Sequence, residues 1–208
     1  NQTFDGQVGI GTTTPNAALE IVNASTADVL ATAHGSIAQF IGQHANGTPA
    51  SPTAVGSDDD LAWFGARGYQ GQFFSGTRAA MIMKATQNWT DSANGAEMYF
   101  ATTPNGTTTR TERMRIAQDG RVGIGTATPT AALDIVNNST ADVVVTTHGS
   151  IAQFIGQQGN GTLGNPTAVV AGDNLAWFGA RGYDGQNYSA TRVAVIMKAT
   201  ENWTGTAH

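Results

Sequence analysis

The sequence predicts an all-β fold built as a tandem repeat, with little helix. Three observations carry this. Strong helix formers are scarce: the 208 residues include six leucines, four glutamates and two lysines, too few to populate helical faces. The 26 glycines, interspersed with Pro, Asn and Ser, break the chain into short segments of the kind that turns separate. Within those segments apolar residues recur with a period of two rather than 3.6.

Near the start, Thr14 and Pro15 predict a short helical turn over 15–22, with Thr14 as its cap and Pro15 at the first helical position. Strands are expected over 36–43, 61–68, 78–85 and 96–102. The polar and glycine-rich stretches 42–60, 69–77 and Pro104-Asn105-Gly106 read as turns. Arg110 to Ala117 alternates, which places Glu112, Met114 and Ile116 on one face and Thr111, Arg113 and Arg115 on the other. Asp119-Gly120 then precedes Val122 and Ile124, the signature of a tight hairpin. The glycines flanking Ile10 and Ile124 allow close backbone approach, which suits strands packed around a narrow axis.

An internal repeat organises these elements. Val8-Gly9-Ile10-Gly11-Thr12 returns at Val122 to Thr126, His34 to Gln43 returns unchanged at His148 to Gln157, and Trp63 to Tyr69 returns at Trp177 to Tyr183. The offset is 114 each time, and 61 of the 87 positions in 8–94 match those in 122–208. A period of this length makes each copy a module of domain size. The expected division is 1–7 as the end of a preceding repeat, 8–121 as repeat one, and 122–208 as repeat two, incomplete at its C-terminal end. A start at Asn1 without Met or leader and an end inside the second copy lead us to expect a polypeptide that continues in both directions.

Composition excludes several classes of function. A net charge of −5 and a pI near 5.1 supply no basic patch for nucleic acid or an anionic membrane surface. No apolar run reaches the length of a membrane-spanning helix. With no cysteine and four dispersed histidines, neither a disulfide framework nor a zinc site is expected, and no cofactor or metal is assigned. Large apolar side chains are few for the chain length, so a lone copy would struggle to offset the entropy of ordering its backbone. Association would supply the missing burial.

The segment Arg110-Thr111-Glu112-Arg113-Met114-Arg115-Ile116, followed by Asp119-Gly120 and Val122-Gly123-Ile124-Gly125-Thr126-Ala127-Thr128-Pro129, resembles a junction of bacteriophage tail fibre and tailspike proteins whose precursors end in an endosialidase-type intramolecular chaperone domain. Asp5 to Pro15, Pro52 to Val55, Phe64 to Gly71 and Thr102 to Met114 are similar to modules of such fibres. The resemblance implies an elongated, β-rich shaft segment in a parallel homotrimer around a central axis, joined to fibre segments before and after it and extending a host-recognition tip. It implies a virion tail, extracellular location. Similar modules occur in bacterial surface and secreted proteins, which is the alternative. The family's self-cleaving chaperone uses a Ser and Lys pair in a helix-rich domain with no match in this sequence, so that activity is not carried over and no enzyme is expected.

Trp63, Trp89, Trp177 and Trp203, with Tyr69 and Tyr183, could stack on sugars, but aromatics beside period-two strands are more often core or interface. Glycan contacts would lie where the copies differ, giving Phe73 and Phe74 and their counterparts Asn187 and Tyr188 as candidates for host-glycan binding in an adhesin. Asp58-Asp59-Asp60 reads as an acidic turn, because its counterpart is Gly172-Asp173-Asn174 and no calcium-ligand pattern follows. His34 with Ser36, and His148 with Ser150, lack a nucleophile elbow and read as structural. A depolymerase would need paired carboxylates in a cleft, for which Asp59, Asp173 and Glu112 are the residues to test. The Asn-X-Ser/Thr matches at Asn23, Asn46, Asn88, Asn105 and Asn202 arise by chance in so Asn- and Thr-rich a chain. Arg67 and Arg181 are expected to pair with carboxylates between chains.

Overall fold

The computed structural model describes residues 6–205. Asn1 to Asp5, most of the segment read as a preceding repeat, and the stop at His208 lie outside the described residues. Those described form fourteen strands and no helix, in two compact units that divide between Ala141 and Asp142.

The first unit opens with β1 (Val8–Ile10) and β2 (Leu19–Ile21), paired in parallel. The helical turn expected over 15–22 is therefore absent. Parallel pairing takes its backbone groups: Val8 N–H donates to Ala18 and Val22 N–H to Ile10, both at 2.8 Å. Parallel neighbours normally need a connection of about a dozen residues or more, and this one spans only 11–18. Gly11 makes the short link possible. Its φ is +75°, and a side chain there would sit 2.1 Å from the Val22 carbonyl oxygen. The polar stretch 42–60 contains a hairpin, β3 (Asn46–Thr48) against β4 (Ser51–Thr53).

The expected strands 61–68, 78–85 and 96–102 appear as β5 (Asp60–Ala66), β6 (Ala79–Ala85) and β7 (Ala96–Thr102). With β8 (Thr111–Ile116) and β9 (Val122–Ile124) they form an antiparallel meander, and β10 (Leu133–Ile135) adds in parallel to β9. The Asp-Gly hairpin between β8 and β9 forms as expected. Gly120 N–H donates to Ala117 and Ala117 N–H to Arg121, both at 2.9 Å, and Gly120 takes a φ of +84°. Gly123 is crowded within the chain itself: a side chain there would meet the Thr126 carbonyl oxygen at 2.5 Å. The β9–β10 link folds back over it.

In the second unit β11 (Asn160–Thr162) pairs with β12 (Asn165–Thr167), and β13 (Asn174–Ala180) pairs with β14 (Val193–Lys198). These begin 114 residues after β3, β4, β5 and β6. Even the irregularity of β5 between Asp60 and Ala62 recurs in β13 between Asn174 and Ala176. The repeat boundary at 121/122 runs between two paired strands of the six-stranded sheet, whereas the compact units divide twenty residues later. The sequence period and the packing unit have different phases.

The strand expected over 36–43 does not form, and residues 37–45 have no regular structure. Their apolar side chains Ile37, Phe40 and Ile41 stay largely exposed, as do Ile151, Phe154 and Ile155 in the second unit. The core that does form is small. It consists of Val55, Ala80, Ile82, Ala85 and Ala101 in the first unit, and Val169 and Ala199 in the second.

Candidate functional site

Sheet register places the side chains of directly opposed residues on one face. One face of the six-stranded sheet then carries two apolar rows. Phe64, Met81, Phe100, Met114 and Ile124 stand opposite one another across β5 to β9, and Ala62, Met83, Met98, Ile116 and Val122 form the next row. No polar residue interrupts either row. Phe64, Phe100, Ile116 and Ile124 are 38–52% exposed, so this face is not covered by the described residues of its own unit. At its β5 edge the segment 40–44 runs alongside, so close that a side chain at Gly42 would strike Ala62 at 2.4 Å. Phe40, Ile41, Phe64, Met83 and Trp89 line an apolar groove there. An equivalent groove in the second unit is lined by Phe154, Ile155, Phe178, Met197 and Trp203. Sequence reading missed this face, although its signal is present as the i, i+2 pairs Met81/Met83, Met98/Phe100, Met114/Ile116 and Val122/Ile124.

The opposite face is polar at one end. Trp63, Ile82, Tyr99 and Arg115 align across β5 to β8. The alternation expected in β8 fails here for a specific reason. Register shifts between Phe100 and Ala101, which pair with Met114 and Glu112 and leave Arg113 as the extra residue of a bulge. Glu112 thereby turns to the face of Arg115, not that of Met114. Arg115 donates to both oxygens of Glu112 at 2.8 and 2.7 Å and to Glu97 at 2.6 Å, in a cluster whose side chains are mostly buried. The bonds to Glu112 and the charge of Glu97 raise the guanidinium pKa further above its ordinary range. Burial likewise pushes up the Tyr99 phenol. Nearby, the Arg110 guanidinium lies 4.4 Å from the centre of the Trp63 ring, a cation–π contact.

The four glycan candidates sit at hairpin tips. Tyr69 bridges to Phe74, their rings 5.5 Å apart and edge to face, and Tyr69 O–H donates to Gly71 at 3.1 Å. Phe73 and Phe74 are exposed. In the second unit the Tyr183 and Tyr188 rings lie 5.3 Å apart, tilted by 57°, and the Asp184 carboxylate accepts from Gln186 N–H and Asn187 N–H at 2.9 and 2.8 Å. Asn187 and Tyr188 are exposed as well.

The other candidates have structural surroundings. Asp59 accepts from Gly56 N–H and Asn46 Nδ2 at 2.7 Å each, and those two bonds hold its pKa below the usual carboxylate value. Asp173 does the same with Val170 N–H and Asn160 Nδ2, both at 2.8 Å, and is likewise lowered. Asp58, at a φ of +71°, pairs with Lys84 at 3.1 Å and raises the lysine's pKa. Glu112 is committed to Arg115, so each of the three carboxylates is engaged in bonds of its own. His34 and His148 lie exposed in stretches without regular structure. Trp89 Nε1 donates to the Gly95 carbonyl at 3.0 Å and helps wall the groove. Arg181 contacts Thr191 at 3.4 Å, and Arg67 has no ion pair among the described residues.

Short sheets, one of them with apolar rows that the described residues of its unit leave exposed, define an all-β module suited to assembly. The fold is that of a bacteriophage tail fibre domain. It superposes on the carboxy-terminal domain of the bacteriophage T5 L-shaped tail fibre with a TM-score of 0.74 and 17% identity, over 88% of this chain and 79% of that one. A second structure of that domain, with its intramolecular chaperone domain, gives a TM-score of 0.72 and 18% identity over 87% of this chain and 54% of that one. No protein-family model and no curated protein matches the sequence.

Proposed function

We propose that this chain is a structural shaft module of a homotrimeric phage tail fibre or tailspike, joined to other fibre segments and extending a host-recognition tip. The observation that carries the reading is the uncovered apolar surface. Its components are the two apolar rows, the grooves and the exposed segments 37–41 and 151–155, and exposed apolar patches of this kind mark association surfaces. Similarity of fold to a tail fibre domain supports the fibre setting, hence a virion tail and extracellular location, with a bacterial surface fibre as the alternative. Three copies follow from the family resemblance. Arg67 is then available to a carboxylate of a neighbouring copy. The role is non-enzymatic, without cofactor, metal, nucleic acid or membrane insertion. Mass photometry should return about three times the chain mass. A stable monomer at micromolar concentration would overturn the reading.

A second reading, a glycan-binding adhesin, is favoured by the exposed aromatic pairs at the hairpin tips. Replacing Phe73 and Phe74 by Ala should abolish signal on a glycan array with the melting temperature unchanged, because neither ring belongs to the core. Absence of any signal from the unaltered chain rejects it.

A further inference from the structure

Four asparagines in this chain are followed by glycine: Asn46, Asn94, Asn105 and Asn160. In such a pair the backbone nitrogen reaches the preceding carboxamide most easily, because glycine has no Cβ to obstruct the approach. The fold treats the four differently. Asn46 Nδ2 donates to the Ala54 carbonyl at 3.2 Å and to Asp59 at 2.7 Å, and its Oδ1 lies 3.1 Å from His44 Nε2. Asn160 repeats this with Ala168, Asp173 and Gln158 at 3.0, 2.8 and 2.9 Å. Both belong to paired hairpins, β3–β4 and β11–β12. Asn94 donates to the Thr90 carbonyl at 2.9 Å, and the Gly95 carbonyl accepts from Trp89 Nε1 and Thr86 N–H at 3.0 and 3.1 Å. Asn105 stands apart. It is exposed in the turn between β7 and β8, and neither its carboxamide nor the Gly106 N–H bonds any of the described residues. Gly106 has a φ of +76°, with nothing within 4 Å of where a side chain would sit.

We propose that Asn105 is a modification site, converting spontaneously to aspartate and isoaspartate while the fold protects the other three asparagines. The Gly106 nitrogen gives up its proton to hydroxide and attacks the side-chain carbonyl carbon of Asn105. The new N–C bond closes a succinimide ring as the bond to the carboxamide nitrogen breaks, and that nitrogen leaves with a proton as ammonia. Water then opens the ring, at the side-chain carbonyl to give aspartate or at the main-chain carbonyl to give isoaspartate. An amide and a water thus become a carboxylate and an ammonium ion. Ring closure requires a carboxamide free to swing and a backbone free to bend toward it. The bonds at Asn46, Asn94 and Asn160 resist both motions, and the open turn at Asn105 permits them. The product carries a new carboxylate on a chain whose net charge is already −5. Isoaspartate also lengthens the main chain of a link that is tied at both ends, where Thr103 Oγ1 donates to the Arg78 carbonyl at 2.8 Å and the Arg78 guanidinium donates to the Thr108 carbonyl. The reaction requires neither a trimer nor a virion.

The test incubates the full chain, in the oligomeric state it adopts, in mildly alkaline buffer and follows each asparagine by tandem mass spectrometry of its proteolytic peptides. Asn105 should gain about 1 Da, the exchange of NH2 for OH, at a rate at least about tenfold above Asn46, Asn94 and Asn160. Fragment ions separate Asn94 from Asn105, which share the tryptic peptide 85–110. An isoaspartate-specific methyltransferase should label that peptide, and Asn105→Gln should abolish the label. In chain unfolded by guanidinium the four rates should converge, because the protection comes from folded structure. Equal rates in the folded chain, a faster gain at any of the other three sites, or a label that survives Asn105→Gln overturns the proposal. So does a folded-state ranking that persists in denaturant, since the neighbouring sequence and not the fold would then set it.

Discussion

Hairpins β5–β6 and β13–β14 contain nearly the same residues in the same register, yet they differ in what they bury. Features closed by local bonds are alike in both. Val55 and Val169 are buried alike, each carbonyl accepting from the tryptophan N–H that follows, Trp89 or Trp203, at 2.9 Å. Ala85 and Ala199 are buried alike beneath their aspartate turns, where they bond Asp59 and Asp173 at 2.9 Å. Features that depend on β7 and β8, which have no counterpart among the described residues of the second unit, differ. Ile82 lies between Trp63 and Tyr99, with Arg110 over the indole, whereas Ile196 has Trp177 on one side alone. The same sequence therefore makes the same turns but not the same core, because the core of a sheet is made by its neighbours.

The comparison is broken most directly by truncating the two isoleucines. Ile82→Ala should cost about 3 kcal/mol by leaving a cavity among fixed neighbours, and Ile196→Ala less than about 1 kcal/mol. Denaturant titration of both variants checks this, and equal losses would mean that Ile196 is covered in solution. Next in size is Gly123→Val. It should cost on the order of 1–3 kcal/mol, because the new side chain meets the Thr126 carbonyl, whereas Gly159→Val, with its nearest contact at 3.9 Å, should be mild. Thermal melting separates the two.

The smallest effect, and the one that should be equal in both units, is acid sensitivity. Asp59 and Asp173 have pKa values lowered by two bonds each in the folded state. Their contribution is therefore present above the unfolded carboxylate value of about 3.9 and is lost as pH falls through the lower folded value. Asp59→Asn and Asp173→Asn should each flatten the stability profile below about pH 4. A change in one variant only would mean that the two turns, despite their matching bonds, do not contribute equally to stability.

The legibility of the structure follows the same division. β5, β6, β7, β8 and β9 were readable from alternation and turn chemistry, since a two-residue period and an Asp-Gly turn act locally. The exposed aromatic tips were readable from the differences between copies, although exposure alone does not assign them a ligand. The two apolar rows were not, because each draws residues from five strands between Leu61 and Ile124 and exists only once register aligns them. β2 was misread because Thr14-Pro15 is a sound helix start that parallel pairing with Val8 to Ile10 outcompetes. Ser36 to Gln43 was misread because a strand needs a partner, and none of the described residues supplies one. The bulge at Arg113 turned Glu112 toward Arg115, a change of face that an alternating pattern cannot announce. By itself the sequence determined the period of 114, the turns and the all-β class, all of which arise from contacts near in the chain. Tertiary structure alone decided which face of each strand is buried, because a side chain's burial is set by whatever lies across the sheet from it.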